Sequence, residues 1–112
     1  MACIFCRIVA GEAPARIVLA DEHVLAFHDI RPAAPVHVLV VPRAHVASLW
    51  ELDDLRLAGH LLFTASEVAR LCGLERGFRV IANARHDGGQ EVDHLHLHVL
   101  GGKRLGRMLA PL

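Results

Sequence analysis

The sequence predicts an α+β domain: a five-stranded antiparallel sheet with one short N-terminal helix and one long helix. Two observations carry that prediction. Short apolar and β-branched runs recur along the chain, while only one long stretch has helical periodicity. Few helices therefore connect the strands, and parallel strands would need such crossovers. The 112 residues, 54% of them hydrophobic, suffice for one well-buried core. Residues 1–112 are expected to form a single domain, since no linker, repeat or low-complexity tract interrupts them.

The elements follow in order. Ile4 to Val9 reads as a short helix that stops near Gly11. Arg16 to Leu19 and Val24 to His28 read as two strands joined by a tight Ala20-Asp21-Glu22 turn. Pro32 and Pro35 break the chain into a loop. Val36 to Val41 is a continuous apolar run rich in β-branched residues, hence a buried strand, ended by Pro42. Asp53 is the expected N-cap of the main helix, Asp54 to Leu71, with Gly73 just past its end. At about 100° per residue its apolar side chains fill an arc of roughly 200°. Leu55, Ala58, Leu62, Ala65 and Ala69 form one edge, and Leu57, Leu61, Val68 and Leu71 the other. One sheet face needs a narrower stripe. The extra width suggests a second partner such as another subunit, with Leu61 or Val68 facing it. Overhanging loops are the plainer alternative. Phe78 to Ala82 reads as the fourth strand, Gly88-Gly89 as a turn, and Val92 to Leu100 as the fifth strand.

Charge and composition restrict function. Twelve Lys+Arg balance twelve Asp+Glu, which argues against nucleic-acid binding by bulk electrostatics. The longest apolar runs fall far short of the ~20 residues that span a bilayer, so no membrane association is expected. The start, Met1-Ala2-Cys3-Ile4-Phe5-Cys6-Arg7, lacks the features of a signal peptide. Three cysteines do not form a secreted disulfide framework. A cytoplasmic location is expected, where a Cys-x-x-Cys pair more often means metal or redox chemistry.

The most informative segment is His94-Leu95-His96-Leu97-His98-Val99-Leu100. Its period of two is that of a strand, and it sets three imidazoles on one face, roughly 6–7 Å apart. Leu95, Leu97 and Val99 take the opposite face. A lone buried histidine is usually a satisfied core residue; three in strict alternation are not so easily dismissed. Spacing alone fits a zinc-ligating pair and a nucleophile with a neighbouring proton donor equally well.

This segment resembles, at every position, the His-φ-His-φ-His-φ-φ signature of the histidine triad (HIT) superfamily, φ being apolar. The resemblance extends from about Cys3 to Met108. Ala26-Phe27-His28-Asp29-Ile30-Arg31-Pro32 with Ala34-Pro35 is similar to the family's nucleoside-binding segment. Val41-Pro42-Arg43-Ala44-His45 resembles the stretch after the third strand. Asn83 and Gly88-Gly89-Gln90-Glu91 resemble the phosphate-side loop, and Gly101-Gly102 is typical of the Hint branch.

The resemblance implies a HIT-like fold and hydrolysis of purine nucleoside phosphoramidates, with an AMP- or GMP-like nucleotide as substrate. His96 would attack the α-phosphorus, forming a nucleotidyl-histidine intermediate that water resolves. His98 would bond a phosphate oxygen, and Asn83, Gly89 and Gln90 would assist around the developing charge. His94 and His45 complete the catalytic group. Asp29 would accept from both ribose hydroxyls, since a carboxylate offers acceptors alone. Phe5, Ile8, Phe27 and Ile30 match the apolar slot for the base, although core packing is the plainer account, especially of Ile8. Hint relatives are dimers that pair through the long helix and the fourth strand. Glu91 departs from the pattern, standing where many relatives have serine; general acid and bystander are both open. Asp93 and the tail Leu105-Gly106-Arg107-Met108 also depart.

Some relatives bind zinc through a ligand set that matches Cys3, Cys6, His45 and His94 here. Four protein ligands would make it a structural zinc. Free thiols with hydrogen-bonded histidines are the alternative. Two other functions compete. One is dinucleoside polyphosphate hydrolysis of the fragile-histidine-triad type, which the Gly101-Gly102 ending and short length disfavour. The other is a nucleotide-binding or zinc-stabilised interaction module without turnover.

Overall fold

The computed structural model describes residues 3–109. Met1 and Ala2, which open the segment read for a leader, and residues 110–112 lie outside the described residues. The elements run α1 Ile4–Val9, β1 Ile17–Ala20, β2 Val24–His28, β3 Val36–Pro42, α2 Leu55–Leu71, β4 Phe78–Ile81 and β5 Leu97–Gly101. The five strands form one antiparallel sheet in the order β1-β2-β3-β5-β4. The last strand thus inserts beside the central one, with Leu39 opposite His98.

Both faces of the sheet are covered. Val24, Ala26, Val38, Val40, Leu97 and Val99 meet Leu61, Ala65, Val68 and Ala69 of α2 on one face. Leu25, Phe27, Leu39 and Val41 meet Phe5 of α1 on the other. A strand buried on both faces reads as a continuous apolar run, which is why Val36–Val41 does not alternate. No described helix is long and apolar enough to cross a membrane.

Several boundaries differ from expectation, each for a local reason. Asp54, not Asp53, caps α2: its carboxylate accepts the N–H groups of Arg56 at 3.0 Å and Leu57 at 3.1 Å. β1 lies one residue later than expected, and a register irregularity interrupts it between Ile17 and Leu19. Pro42 belongs to β3, opposite Val24, instead of ending it. Its missing N–H is tolerated at the strand end. β4 stops at Ile81. The largest change is in the fifth strand, whose ladder begins at Leu97 and not at Val92. Before it, the His94 N–H donates to Val92 O at 2.8 Å and the Leu95 N–H to Val46 O at 2.7 Å. These bonds divert the chain from β3, yet the alternation persists, with Leu95 in the α2 core.

The broad apolar arc of α2 splits. Leu61 is 2% exposed and Val68 is fully buried against the sheet, so neither faces a partner, contrary to expectation. Leu62 is 61% exposed, and Leu55, Phe63 and Leu71 also point outward. Leu61→Ala should therefore cost about 2–5 kcal/mol, the range for a truncated core leucine. Denaturant unfolding should show that loss to be independent of protein concentration, as a core residue requires and an interface residue does not.

Candidate active site

His96 is buried, and its Nδ1 lies 2.8 Å from the main-chain carbonyl of His94. A carbonyl can only accept, so Nδ1 carries the hydrogen and the neutral ring keeps a lone pair on Nε2. Phe5 packs edge-on to this ring at 5.2 Å between centroids.

The neighbouring His98 has the opposite tautomer. The Ala33 N–H donates to His37 Nδ1 at 2.9 Å, so that nitrogen is bare. Neutral His37 then carries its hydrogen on Nε2, 2.9 Å from His98 Nδ1 and 3.4 Å from Asp29 Oδ2. His98 accepts through Nδ1 and keeps its own hydrogen on Nε2. Its ring centroid is 4.9 Å from that of His96. One imidazole thus offers a lone pair and the next an N–H, the pairing wanted for attack on phosphorus and for holding a phosphate oxygen.

Burial disfavours the protonated forms of His98 and His37. It pushes His98 down to about 4, helped by the imidazoles of His96 and His37 and opposed by Asp29. Burial also lowers His37, against the pull of Asp29. Sequence reading missed His37 altogether. It is the one polar residue in the Val36–Val41 run, two places from Leu39, which pairs with His98. Strand periodicity could have put it on the histidine face.

A cavity of about 790 Å³ opens in front of His96 and His98. Its apolar wall includes Phe5, Ile8, Phe27 and Ile30, though Ile30 is 89% exposed and sits at the rim. Asp29, Asn83, Gly89 and Glu91 also border it. The Asp29 carboxylate accepts the Arg31 N–H through one oxygen at 2.9 Å, leaving the other toward His37. Asn83 donates to Gly88 O at 2.8 Å, which folds the loop back on itself. A Cβ on Gly88 would lie 2.4 Å from Ala84 O, so that approach requires glycine.

Gln90 does not border the cavity. Its amide nitrogen donates to Ala47 O at 2.7 Å and Val92 O at 2.9 Å, and its oxygen accepts the Arg85 N–H at 2.8 Å. It fastens the loop instead. Arg85 reaches on to pair with Glu51 and lies over the Trp50 ring, 5.6 Å from its centroid. His45 and the His94 ring, expected in the catalytic group, also turn away from the cavity.

They turn toward cysteines. His94 Nε2 donates to Pro42 O at 2.8 Å, leaving Nδ1 bare. That nitrogen lies 3.3 Å from Cys3 Sγ, 3.5 Å from Cys6 Sγ and 3.2 Å from His45 Nδ1. His45 Nδ1 is 3.6 Å from Cys3 Sγ and 3.2 Å from Cys6 Sγ. Zinc bonds of about 2.0–2.3 Å in a tetrahedron would separate the donors by roughly 3.3–3.8 Å. The four expected ligands thus converge into a Cys/His cluster of a size to hold one metal ion.

The HIT domain pattern matches residues 10–105. The chain belongs to the HIT family. Among its HIT relatives is an uncharacterized HIT-like protein of Synechococcus elongatus, 46% identical over 104 residues, 91% of each chain. The fold is similar to that of a histidine triad protein from Clostridium difficile, with TM-score 0.92, 46% identity and 97% of each chain covered. It is also similar to a HIT family hydrolase from Legionella pneumophila, with TM-score 0.90, 44% identity, and 94% and 96% covered.

In this HIT protein the depressed His98 and His37 link stability to pH. An unfolded histidine takes up a proton below about 6.5, whereas the folded site resists it. The stabilising contribution is complete above that value and erodes as pH falls toward about 4, where His98 itself protonates. Denaturant unfolding at several values across this window should show stability falling with acidity, and His98→Asn should flatten the slope.

Proposed function

We propose that this protein hydrolyses purine nucleoside phosphoramidates of the AMP–amine type through a nucleotidyl-histidine intermediate on His96. The observation that carries this reading is the pair of opposed tautomers at the floor of an apolar cavity. His96 Nε2 attacks the α-phosphorus and forms a P–N bond, while the bond to the amine breaks and the leaving nitrogen takes a proton from solvent, which the later attack of water returns. Water then attacks the same phosphorus, freeing the nucleotide and returning His96 to neutrality. The His98 Nε2–H holds a phosphate oxygen, and Asn83 and Gly89 border the phosphate, while the Gly89 and Gln90 N–H groups donate to His86 O and Arg85 O and keep that loop in shape. Asp29 takes the ribose hydroxyls. Phe5, Ile8, Phe27 and Ile30 enclose the base, and Glu91 stands at the leaving-group side.

Residues 1–112 act as one HIT domain in this reading, in the cytoplasm and as a homodimer. The outward Leu55, Leu62 and Phe63 of α2, and the edge strand β4 with exposed Phe78 and Val80, support the dimer. A second copy there would cover both the apolar face and the strand edge. Cys3, Cys6, His45 and His94 would hold a structural zinc, whose bound form ties three segments together and leaves no open coordination position.

His96→Ala should abolish nearly all turnover of an adenosine phosphoramidate while the protein stays folded, because Leu95, Leu97 and Val99 hold the segment. Mass spectrometry of rapidly quenched wild type should show a nucleotidyl adduct on His96. An adduct elsewhere, or faster turnover of diadenosine polyphosphate, would overturn the assignment. Light scattering should give a dimer at micromolar concentration, and Leu62→Glu should shift it toward monomer by placing charge in the interface. Gently purified protein should carry about one zinc per chain, lost in Cys3→Ser/Cys6→Ser.

A further inference from the structure

The cavity and the Cys/His cluster are separate sites that share a residue. The His94 ring faces Cys3, Cys6 and His45 through Nδ1, while its main-chain carbonyl accepts the Nδ1–H of His96. His94 is 0% exposed, and its Nε2 is committed to Pro42 O. Its ring therefore has little freedom to move independently of its own backbone.

Two further connections run in parallel. Cys3 and Cys6 bracket Phe5 at the start of α1, with the Cys6 N–H donating to Cys3 Sγ at 3.1 Å. The Phe5 ring is edge-on to both His94, at 5.9 Å, and His96, at 5.2 Å. With Ile4 and Ile8 it also lines the cavity. A six-residue helix is too short to be stable alone, so its placement depends on what it is fastened to. The third connection is the bond from the Leu95 N–H to Val46 O, which joins the neighbours of His94 and His45.

We infer that a thiophilic divalent cation in the Cys/His cluster and a nucleotide in the cavity bind cooperatively, with His94 as the positioning residue through which the cluster sets His96. The inference rests on the proposed reading of the cavity as a nucleotide site. Without a cation, Cys3 and Cys6 meet His45 and His94 only through thiol–imidazole contacts of 3.2–3.6 Å, and a thiol is a weak hydrogen-bonding group; a bound cation would replace them with coordinate bonds that fix α1 and the segment before β5. Each ligand orders the same two segments, so whichever binds second meets a smaller ordering cost. Linkage makes the effect reciprocal.

The test uses the full chain, zinc and AMP. Calorimetric titration should show AMP binding about tenfold more tightly to zinc-loaded than to zinc-stripped protein. Competition with a chromophoric chelator should show zinc tightened by the same factor when AMP is saturating. In Cys3→Ser/Cys6→Ser, AMP affinity should fall to the stripped level and ignore added zinc. A second measurement covers the case in which stripped protein unfolds. In protein loaded with cobalt(II), AMP should displace the visible absorption bands of the metal, a readout that needs only folded, loaded chain. Nitrogen-15 spectra should also show the His96 Nδ1–H signal moving on metal loading, which a merely structural metal would leave in place. AMP affinity indifferent to zinc in folded protein, or cobalt bands unmoved by saturating AMP, would overturn the coupling alone. No AMP binding to zinc-loaded protein, together with no phosphoramidate turnover, would overturn the nucleotide reading and the coupling with it.

Discussion

The bond from His96 Nδ1–H to the His94 carbonyl is the interaction on which the site depends. It decides which nitrogen is free, and it can form only if the two residues lie on one face of an extended segment. That arrangement needs Leu95, Leu97 and Val99 seated on α2, so the core on one side of the sheet orients the chemistry on the other. β5 is also an inner strand, flanked by β3 and β4, and so it cannot twist away from the cavity without breaking two ladders. The α2 core is thus the rigid support of a site it does not touch.

A second constraint comes from the opposite tautomer of His98. Its state is set by a relay that starts at a backbone amide, Ala33 N–H, and passes through His37. The amide cannot change its role with pH. Burial disfavours the competing protonated forms of His37 and His98, which favours one direction for the relay. Two adjacent imidazoles thereby present different groups to the cavity, a lone pair and an N–H, although they are chemically identical. The difference is imposed by the carbonyl and the amide to which each is ultimately tied.

Much of this was legible in the sequence because it is periodic. Alternation located the histidine face, and helical spacing located α2. The family signature supplied the cysteines, Asp29 and the loop residues, and the structure brings all but Gly88 and Gln90 to the cavity or the cluster. Features set by a single hydrogen bond were harder to read. Asp53 and Asp54 are indistinguishable until one carboxylate meets two amides. The start of β5 depends on Val46 O, far away in sequence, capturing the Leu95 N–H. Which edge of α2 would be covered was also illegible, since both edges are apolar and only the sheet's position separates Leu61 from Leu62. His37 escaped notice because an apolar run hides a single polar residue whose partners come from other segments.

The fastening of the loop from Asn83 to Glu91 has an optical consequence. Gln90 clamps the Arg85 backbone, and the Arg85 guanidinium lies over Trp50. Trp50 is the only tryptophan in the chain and is 75% exposed. A cation held over an indole face perturbs its excited state, and it does so only while the loop stays clamped. The protein therefore carries an intrinsic fluorophore wired to the loop beside its cavity. Loop release can be followed in real time on the unlabelled molecule, with no other indole to obscure the signal.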